Sequence, residues 1–311
     1  MKKQFRIFPI ERQELISAQD VAQQVGWQIT AFNLPSLWKI TKGGGVKVAV
    51  LDSGADLEHP DLKGNLLPGI NFVKPNEVPQ DGHGHGSAMS GIVAAMDKSF
   101  GIVGVAPECK IIPVKVLDDH GNGNFDNVAQ GIKWAADNGA DIISLSAGCP
   151  IPLQQVRKAL QYATAKGIPV FAAAGNAGFT KELFYPACYP ESIGIGSIDE
   201  NFDLSQFSCT GKNLDFLAPG NNIVCTVPPN WYATLSGTSL STPWVAGVAA
   251  LLLSYSRNNK TDIVLKTVDD YRRVLREYTI PLQHIQDDKF AKFGILDPRK
   301  LEQWIKDHPT C

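Results

Sequence analysis

The sequence predicts an α/β fold, a twisted and mainly parallel sheet with helices on both faces, and two observations carry the prediction. Runs of nearly continuous apolar residues recur along the chain, and stretches of helical periodicity lie between them. A strand buried on both faces reads as an unbroken apolar run, and alternation of strand and helix implies βαβ units. A third observation concerns ligands. Asp52, Gly148 and Asn176 each fall at the carboxyl end of such a run, where open α/β sheets place their sites.

The elements follow in chain order. Phe5-Arg6-Ile7-Phe8-Pro9-Ile10 is apolar and extended in character, broken by its proline, and Glu14 to Gln24 is polar and weakly helical. Lys39 to Gly45 reads as a turn before the main domain. Val46-Lys47-Val48-Ala49-Val50-Leu51-Asp52 is the first buried strand, closed by an acid. Further strands are expected over Ile111 to Leu117, Asp141 to Ser146, Pro169 to Ala174 and Ser192 to Ile198. Helices are expected over Ser87 to Met96, Asn127 to Asn138 and Leu153 to Lys166. After Tyr255 the chain is more charged and helical, over Thr261 to Thr279 and Pro298 to Asp307. The expected organisation is a short extension over 1–26 and one domain over 27–311, of which 258–311 is a helical C-terminal extension.

Composition removes several function classes. Against 29 Lys+Arg stand 31 Asp+Glu, so no basic surplus draws the chain to nucleic acid or an anionic membrane. Hydrophobic residues at 44% and charged residues at 19% suit an ordinary globular core and exclude disorder. Trp244 to Leu253, the longest apolar-rich stretch, is too short to span a bilayer and contains Gly247. No apolar segment follows Lys2 and Lys3, so a secretory signal is not expected. Cys109, Cys149, Cys188, Cys209, Cys225 and Cys311 are scattered without a C-x-x-C pair, and read as free thiols of a cytoplasmic protein.

Three segments carry chemistry: Asp52-Ser53-Gly54, the glycine-rich Asp81-Gly82-His83-Gly84-His85-Gly86-Ser87, and Ser236-Gly237-Thr238-Ser239-Leu240-Ser241-Thr242-Pro243. Ser239 is expected near a helix start, beside free backbone N–H groups at the positive end of the macrodipole, with Pro243 within the first turns. That setting suits a nucleophile whose attack creates an oxyanion. A serine hydroxyl needs an adjacent base. His85 has a suitable pKa, and Asp52 can orient its imidazole and stabilise the imidazolium. Singly, Ser239 reads as a helix cap, His85 as structural and Asp52 as a capping acid; their joint, ordered occurrence reverses those readings.

Asp52-Ser53-Gly54, His85-Gly86-Ser87, Ala173-Ala174-Gly175-Asn176 and Gly237-Thr238-Ser239, with Gly104-Val105-Ala106-Pro107 and Tyr185-Pro186, together resemble the subtilisin-like serine proteases, the subtilases, from about Trp38 to Leu253. The order Asp, His, Ser is that of subtilisin. The resemblance implies a three-layer fold with a seven-stranded, mainly parallel sheet, and a serine endopeptidase working through an acyl-enzyme. It implies that Asn176 supplies an oxyanion donor beside the Ser239 N–H. Ser146-Ala147-Gly148 and Ala173-Ala174-Gly175 match the two walls of the P1 pocket, and Phe184 lies near its base. Gly121, Gly123 and Phe125 lie on the edge that pairs with an extended substrate, a β-augmentation. The walls are small and uncharged, so an apolar P1 residue is expected. Arg6-Ile7-Phe8-Pro9-Ile10 resembles the short extension of bacterial intracellular subtilisins, which implies a zymogen inhibited by its own N-terminus, cleaved between Glu11 and Gly26, and a homodimer.

The chain departs from the family pattern at Ser87 and Ala88 after the histidine, and at Leu240, Ser241 and Trp244 around the nucleophile. The resemblance implies no cofactor for the chemistry but suggests structural calcium or sodium. Asp61 and the loop from Met96 to Ile102 match the tight cation site, and Ala187, Tyr189 and Ser192 a weaker one. Lys98 stands where an asparagine ligand is usual and opposes a metal by charge. Two readings compete with a protease. His83 and His85, with His59, lack the spacing of a zinc peptidase, and His83 reads as a neighbour only. Gly43-Gly44-Gly45 precedes a strand, unlike a phosphate loop. The remaining alternative is a catalytically impaired subtilase fold used for binding, which differs from a protease in failing to hydrolyse an apolar-P1 peptide.

Overall fold

The computed structural model describes residues 4–7, 16–17, 22–178, 182–259, 261, 263–282 and 291–307. Phe8, Pro9, Ile10, most of the expected cleavage region and Cys311 lie outside them. Two N-terminal strands, β1 (Gln4–Arg6) and β2 (Ile16–Ser17), precede two single-turn helices, α1 (Trp27–Thr30) and α2 (Leu34–Leu37). Then come β3 (Lys47–Asp52), β4 (Ile70–Asn71), α3 (His85–Ala94), β5 (Lys110–Lys115), β6 (Asn122–Asn124), α4 (Phe125–Asp137), β7 (Ile142–Leu145), α5 (Gln154–Ala165), β8 (Val170–Ala173) and β9 (Ile193–Ile198). The chain continues through β10 (Phe216–Pro219), β11 (Ile223–Val227), β12 (Trp231–Leu235), α6 (Thr238–Asn258), α7 (Val268–Glu277), β13 (Thr279–Ile280), β14 (Ile295–Leu296) and α8 (Pro298–Asp307).

The main sheet runs β13-β14-β10-β9-β8-β7-β3-β5-β4, parallel except for the β13–β14 pair. The seven strands from β4 to β10 are the expected parallel sheet. The nine-strand total arises because the two-residue strands β13 and β14 extend it at the β10 edge. Each central strand is apolar throughout because both its faces are covered: after Lys47, every residue of β3 is buried. On one face lie α3, α6 and α7, in a core that includes Met89, Val93, Phe171, Leu252 and Tyr271. On the other lie α4 and α5, whose Val128, Ile132, Val156 and Leu160 pack with Leu51, Val114 and Leu145. The fold is therefore three-layered.

The inner helices show why periodicity alone would understate them. All ten residues of α3 are buried, so it carries no polar face, and small residues let it approach its neighbours. A Cβ at Gly86 would lie 2.1 Å from the Gly54 carbonyl oxygen, so α3 rests almost directly on the loop that follows β3. Trp244, where the family has histidine, is fully buried, donates to the Gln28 carbonyl at 2.9 Å and meets Phe32 edge-on at 4.9 Å. Its bulk packs against α1 and the Phe32 that follows it.

One local expectation is corrected. The described part of Glu14 to Gln24 is extended, not helical: Ile16–Ser17 pairs with Tyr232 and Trp231, and Ala22 and Gln24 bridge to Phe100 and Ile102. Main-chain partners on the neighbouring strand and loop here override the helix propensity of residues such as Ala22, Gln23 and Gln24, since propensity is a weak prior that tertiary context overrides. At the other end, a capping box of Thr267 and Asp270 starts α7, and Glu302 of α8 accepts from Ser36 Oγ at 2.5 Å and Asn33 Nδ2 at 3.3 Å beside α2.

Candidate active site

β3 delivers Asp52 to the carboxyl edge of the sheet, fully buried. Both its oxygens stand 2.8 Å from His85 Nδ1, and Oδ1 also accepts the Ser53 N–H at 2.7 Å. A carboxylate can only accept, so Nδ1 carries the proton and Nε2 is the basic nitrogen. Burial of the ring opposes its charging, but the charge and hydrogen bond of Asp52, aided by the charge of Asp81, outweigh it, and the His85 pKa stands above its ordinary value.

Asp81 is the residue that motif reading missed. Its Oδ1 accepts from Ser53 Oγ at 2.9 Å, His83 N–H at 2.9 Å and Gly84 N–H at 2.8 Å, and its Oδ2 from the Ser87 N–H at 2.8 Å and Oγ at 2.6 Å. Ser53 Oγ in turn accepts the Gly86 N–H at 2.9 Å. Asp81 and Ser53 thus satisfy the orphan donors at the start of α3 and tie that start to the residue after Asp52. The available signal was an acid four residues before the histidine in a glycine-rich turn entering a helix, an N-terminal capping pattern. Nearby, the buried Lys115 ammonium is held by the Ser53 carbonyl and by Asp119 Oδ1 at 2.7 Å.

Ser239 is the second residue of α6, where backbone N–H groups have no intrahelical partner. The side-chain carbonyl of Asn176 accepts from the Thr238 N–H at 2.9 Å and Oγ at 2.8 Å. This fixes the amide so that Nδ2 lies against Gly237, 3.1 Å from where a Cβ would stand. Thr238 Oγ1 also accepts the Gly175 N–H at 3.2 Å. Asn176 and the first turn of α6 are therefore one hydrogen-bonded unit. Among the described residues Ser239 Oγ makes no hydrogen bond to His85, although α3, which His85 opens, packs against α6.

The expected pocket walls also come together. Ser146 and Ala147 follow β7, and Ala173, Ala174 and Gly175 close β8 and continue past it. Main-chain hydrogen bonds in both directions between Cys149 and Tyr185, at 2.9 and 2.8 Å, and one from Phe184 to Ala174, at 2.9 Å, join the walls to the 184–185 segment. A Cβ at Gly175 would come 2.8 Å from the Phe184 ring, and one at Gly148 would come 3.5 Å from the Phe184 Cβ. Phe184 therefore packs against both glycines. Along the opposite edge β1 pairs antiparallel with β6, Gln4 opposite Asn124 and Arg6 opposite Asn122, and the Ile7 N–H reaches the Gly121 carbonyl at 2.9 Å. Gly123 lies opposite Phe5, and Phe125 opens the helix behind.

The residues expected to hold cations do not fit a metal. Lys98 Nζ stands 2.9 Å from Asp61 Oδ1, as a charge contact off hydrogen-bond geometry, and donates to the Pro60 carbonyl. Asp61 Oδ2 is taken by the Ile102 N–H and the Tyr232 hydroxyl, both at 2.8 Å. An ammonium thus sits on Asp61, and the other carboxylate of the set, Asp97, is paired with Lys42 at 2.9 Å. At the second set the Ser192 carbonyl accepts from Arg272, and the Tyr189 carbonyl from Ser192 N–H at 3.1 Å and Oγ at 3.2 Å; Ala187 offers only its main chain. Among the described residues no group of three or more His, Cys, Asp or Glu side chains is placed to hold a metal ion. Cys109, Cys188, Cys209 and Cys225 are free thiols.

A sequence model of the subtilase family, Peptidase_S8, matches residues 43–288. The chain belongs to the subtilase family. It is 47% identical to thermitase of Thermoactinomyces vulgaris over 225 residues, 72% of this chain and 80% of thermitase. It is 38% identical to an intracellular serine protease of Paenibacillus polymyxa over 290 residues, 91% of this chain and 87% of that one. Subtilisin Savinase of Lederbergia lenta is 43% identical over 232 residues, 74% of this chain and 85% of that one. This subtilase therefore shares with the Paenibacillus protein a longer stretch than the family model covers. No helix among its described residues is long and apolar enough to cross a membrane.

Proposed function

We propose that this subtilase is a serine endopeptidase in which Ser239 attacks the peptide carbonyl, His85 Nε2 removes its proton and returns it to the leaving amine, and Asp52 orients the ring. The observation that carries the reading is the contact of His85 Nδ1 with both oxygens of buried Asp52 at 2.8 Å, because it leaves Nε2 as the only basic nitrogen. Asn176 Nδ2 and the Ser239 N–H are the proposed oxyanion donors, preorganised by Thr238, the kind of stabilisation that gives the largest single share of acyl-transfer catalysis. The reading is tested with a peptide ester bearing an apolar P1 residue: turnover abolished by Ser239→Ala supports it, and binding without turnover supports the impaired binding module instead.

The substrate and its control are part of the same proposal. Protein and peptide substrates would add a strand to β6 as β1 does, with an apolar P1 side chain between Ser146-Ala147-Gly148 and Ala173-Ala174-Gly175, above Phe184. Because β1 and Ile7 use the Gly121–Asn124 edge, the N-terminus would act as a competing strand, making the full chain a zymogen. A fully active enzyme whose mass still begins at Met1 would contradict that. The occupied cation sets support a fold that needs no metal. A cytoplasmic location is supported by the likeness to a relative named as intracellular, and a homodimer by the family resemblance alone.

A further inference from the structure

Helix α6 contains a proline, Pro243, at its sixth position. In a regular helix the N–H of residue 243 would donate to the carbonyl of residue 239. Proline has no N–H, so the carbonyl left without its helical partner is that of Ser239. A proline in the first turn would cost no helical hydrogen bond; at the sixth position Pro243 orphans the carbonyl of the proposed nucleophile. The structure supplies a substitute: Ser146 Oγ donates to the Ser239 carbonyl at 2.9 Å. Ser146 is 4% exposed and stands one residue beyond β7, 93 positions away in sequence.

The geometry points to Ser146 as a positioning residue for Ser239, acting through the carbonyl that Pro243 frees, in addition to any part it plays in the pocket wall. A buried carbonyl seeks a donor, and here the donor comes from the sheet, so the hydroxyl fastens the first turn of α6 to the end of β7. That turn carries both the Ser239 hydroxyl and the Ser239 N–H. Its other ties are Thr238 to Asn176, and Ser241 Oγ to the Ala218 carbonyl at 3.0 Å. Those ties keep the turn folded when Ser146 is lost, while the one at the nucleophile itself is released. The chemical consequence rests on the proposed protease reading; the tether itself does not.

The test is a double-mutant cycle on the full chain, comprising the parent, Ser146→Ala, Pro243→Ala and the double variant. The readout is the rate of Ser239 modification by methanesulfonyl fluoride, followed by intact mass; this reagent is too small to need a pocket wall. All four share the same N-terminus, so any slowing it causes cancels. Ser146→Ala should react about three- to tenfold more slowly, the worth of one hydrogen bond. In the Pro243→Ala background, where an N–H is restored to the Ser239 carbonyl, the same change should alter the rate less than about twofold. Ser146→Cys, a weaker donor of similar size, should fall between serine and alanine. Equal slowing in both backgrounds, or none in either, overturns the inference and leaves Ser146 as wall only. If neither the parent nor its form beginning near Gly26 takes up reagent, the protease reading fails by itself; whenever the parent stays unlabelled, the cycle is read in melting midpoints: coupling between the two sites upholds the tether, and additivity removes it.

Discussion

Replacing Lys98 with methionine tests whether an internal ammonium, rather than a bound metal, holds the Asp61 loop in place. The Asp61 side chain has no exposed surface and that of Lys98 only 18%, so the pair is screened far less than a surface ion pair. Removing one partner of a buried pair costs about 3–5 kcal/mol, because a desolvated charge is left behind. Asp61 Oδ2 keeps the Ile102 N–H and the Tyr232 hydroxyl, which places the loss near the lower end, about 3 kcal/mol. At about 2 °C per kcal/mol for a chain of this size, the melting midpoint should fall by about 6 °C. The loop also accepts main-chain hydrogen bonds from Gln23, to Ser99 at 3.1 Å, and Gln24, to Gly101 at 2.7 Å, so the N-terminal region should loosen with it, seen as faster amide exchange at those residues. Differential scanning fluorimetry in EDTA and in millimolar calcium is the assay. The parent midpoint should be the same in both; Lys98→Asn, which removes the ammonium and offers an oxygen ligand, should gain stability with calcium. A parent that loses several degrees in EDTA, or a Lys98→Met variant as stable as the parent, would refute the reasoning.

Other expectations are specific to the site. Asp81→Asn removes a negative charge that favours the His85 imidazolium; the His85 pKa falls, so the acid limb of kcat/KM, which rises as His85 loses its proton, should move to lower pH, and kcat should drop because the Ser87 contacts at Oδ2 are lost. An unmoved limb would remove Asp81 from the electrostatics of the site. Asn176→Ala should lower kcat by about 10²–10³, the loss known from subtilisin itself, with little change in KM; steady-state kinetics on one ester checks it. Phe184→Ala should open space beside Gly148 and Gly175 and shift preference toward larger apolar P1 residues, read by kcat/KM across a series of P1 side chains.

Much of the fold was legible because its central strands are buried on both faces. A run such as Val48-Ala49-Val50-Leu51 allows few readings, and the amphipathic α4 and α5 cover it on one side in register with their apolar stripes. The parts that were not legible are those created by distant pairing. β13 and β14 are two residues each, too short for any period, and exist only because β10 offers an edge. Ala22 and Gln24 are extended because the 99–102 loop accepts their main chain. At the site, Asp52, His85, Asn176 and Ser239 were recognisable as an ordered set of motifs. Asp81 lay inside the glycine-rich motif before α3, but its capping work appears only when Ser53 and Ser87 arrive beside it. The partners of Ser239 and Ser192, Ser146 and Arg272, sit far along the chain, and no local pattern announces such contacts.

The central claim is an activated Ser239, and intact-mass spectrometry after treatment with an aromatic sulfonyl fluoride tests it most directly. The proteins compared are the full chain, a form beginning near Gly26, and the Ser239→Ala variant of each. The account predicts a single adduct on the shortened protein, none on its alanine variant, and slower labelling of the full chain, whose β1 holds the β6 edge. A folded shortened protein that takes up no reagent, with or without calcium, would contradict it.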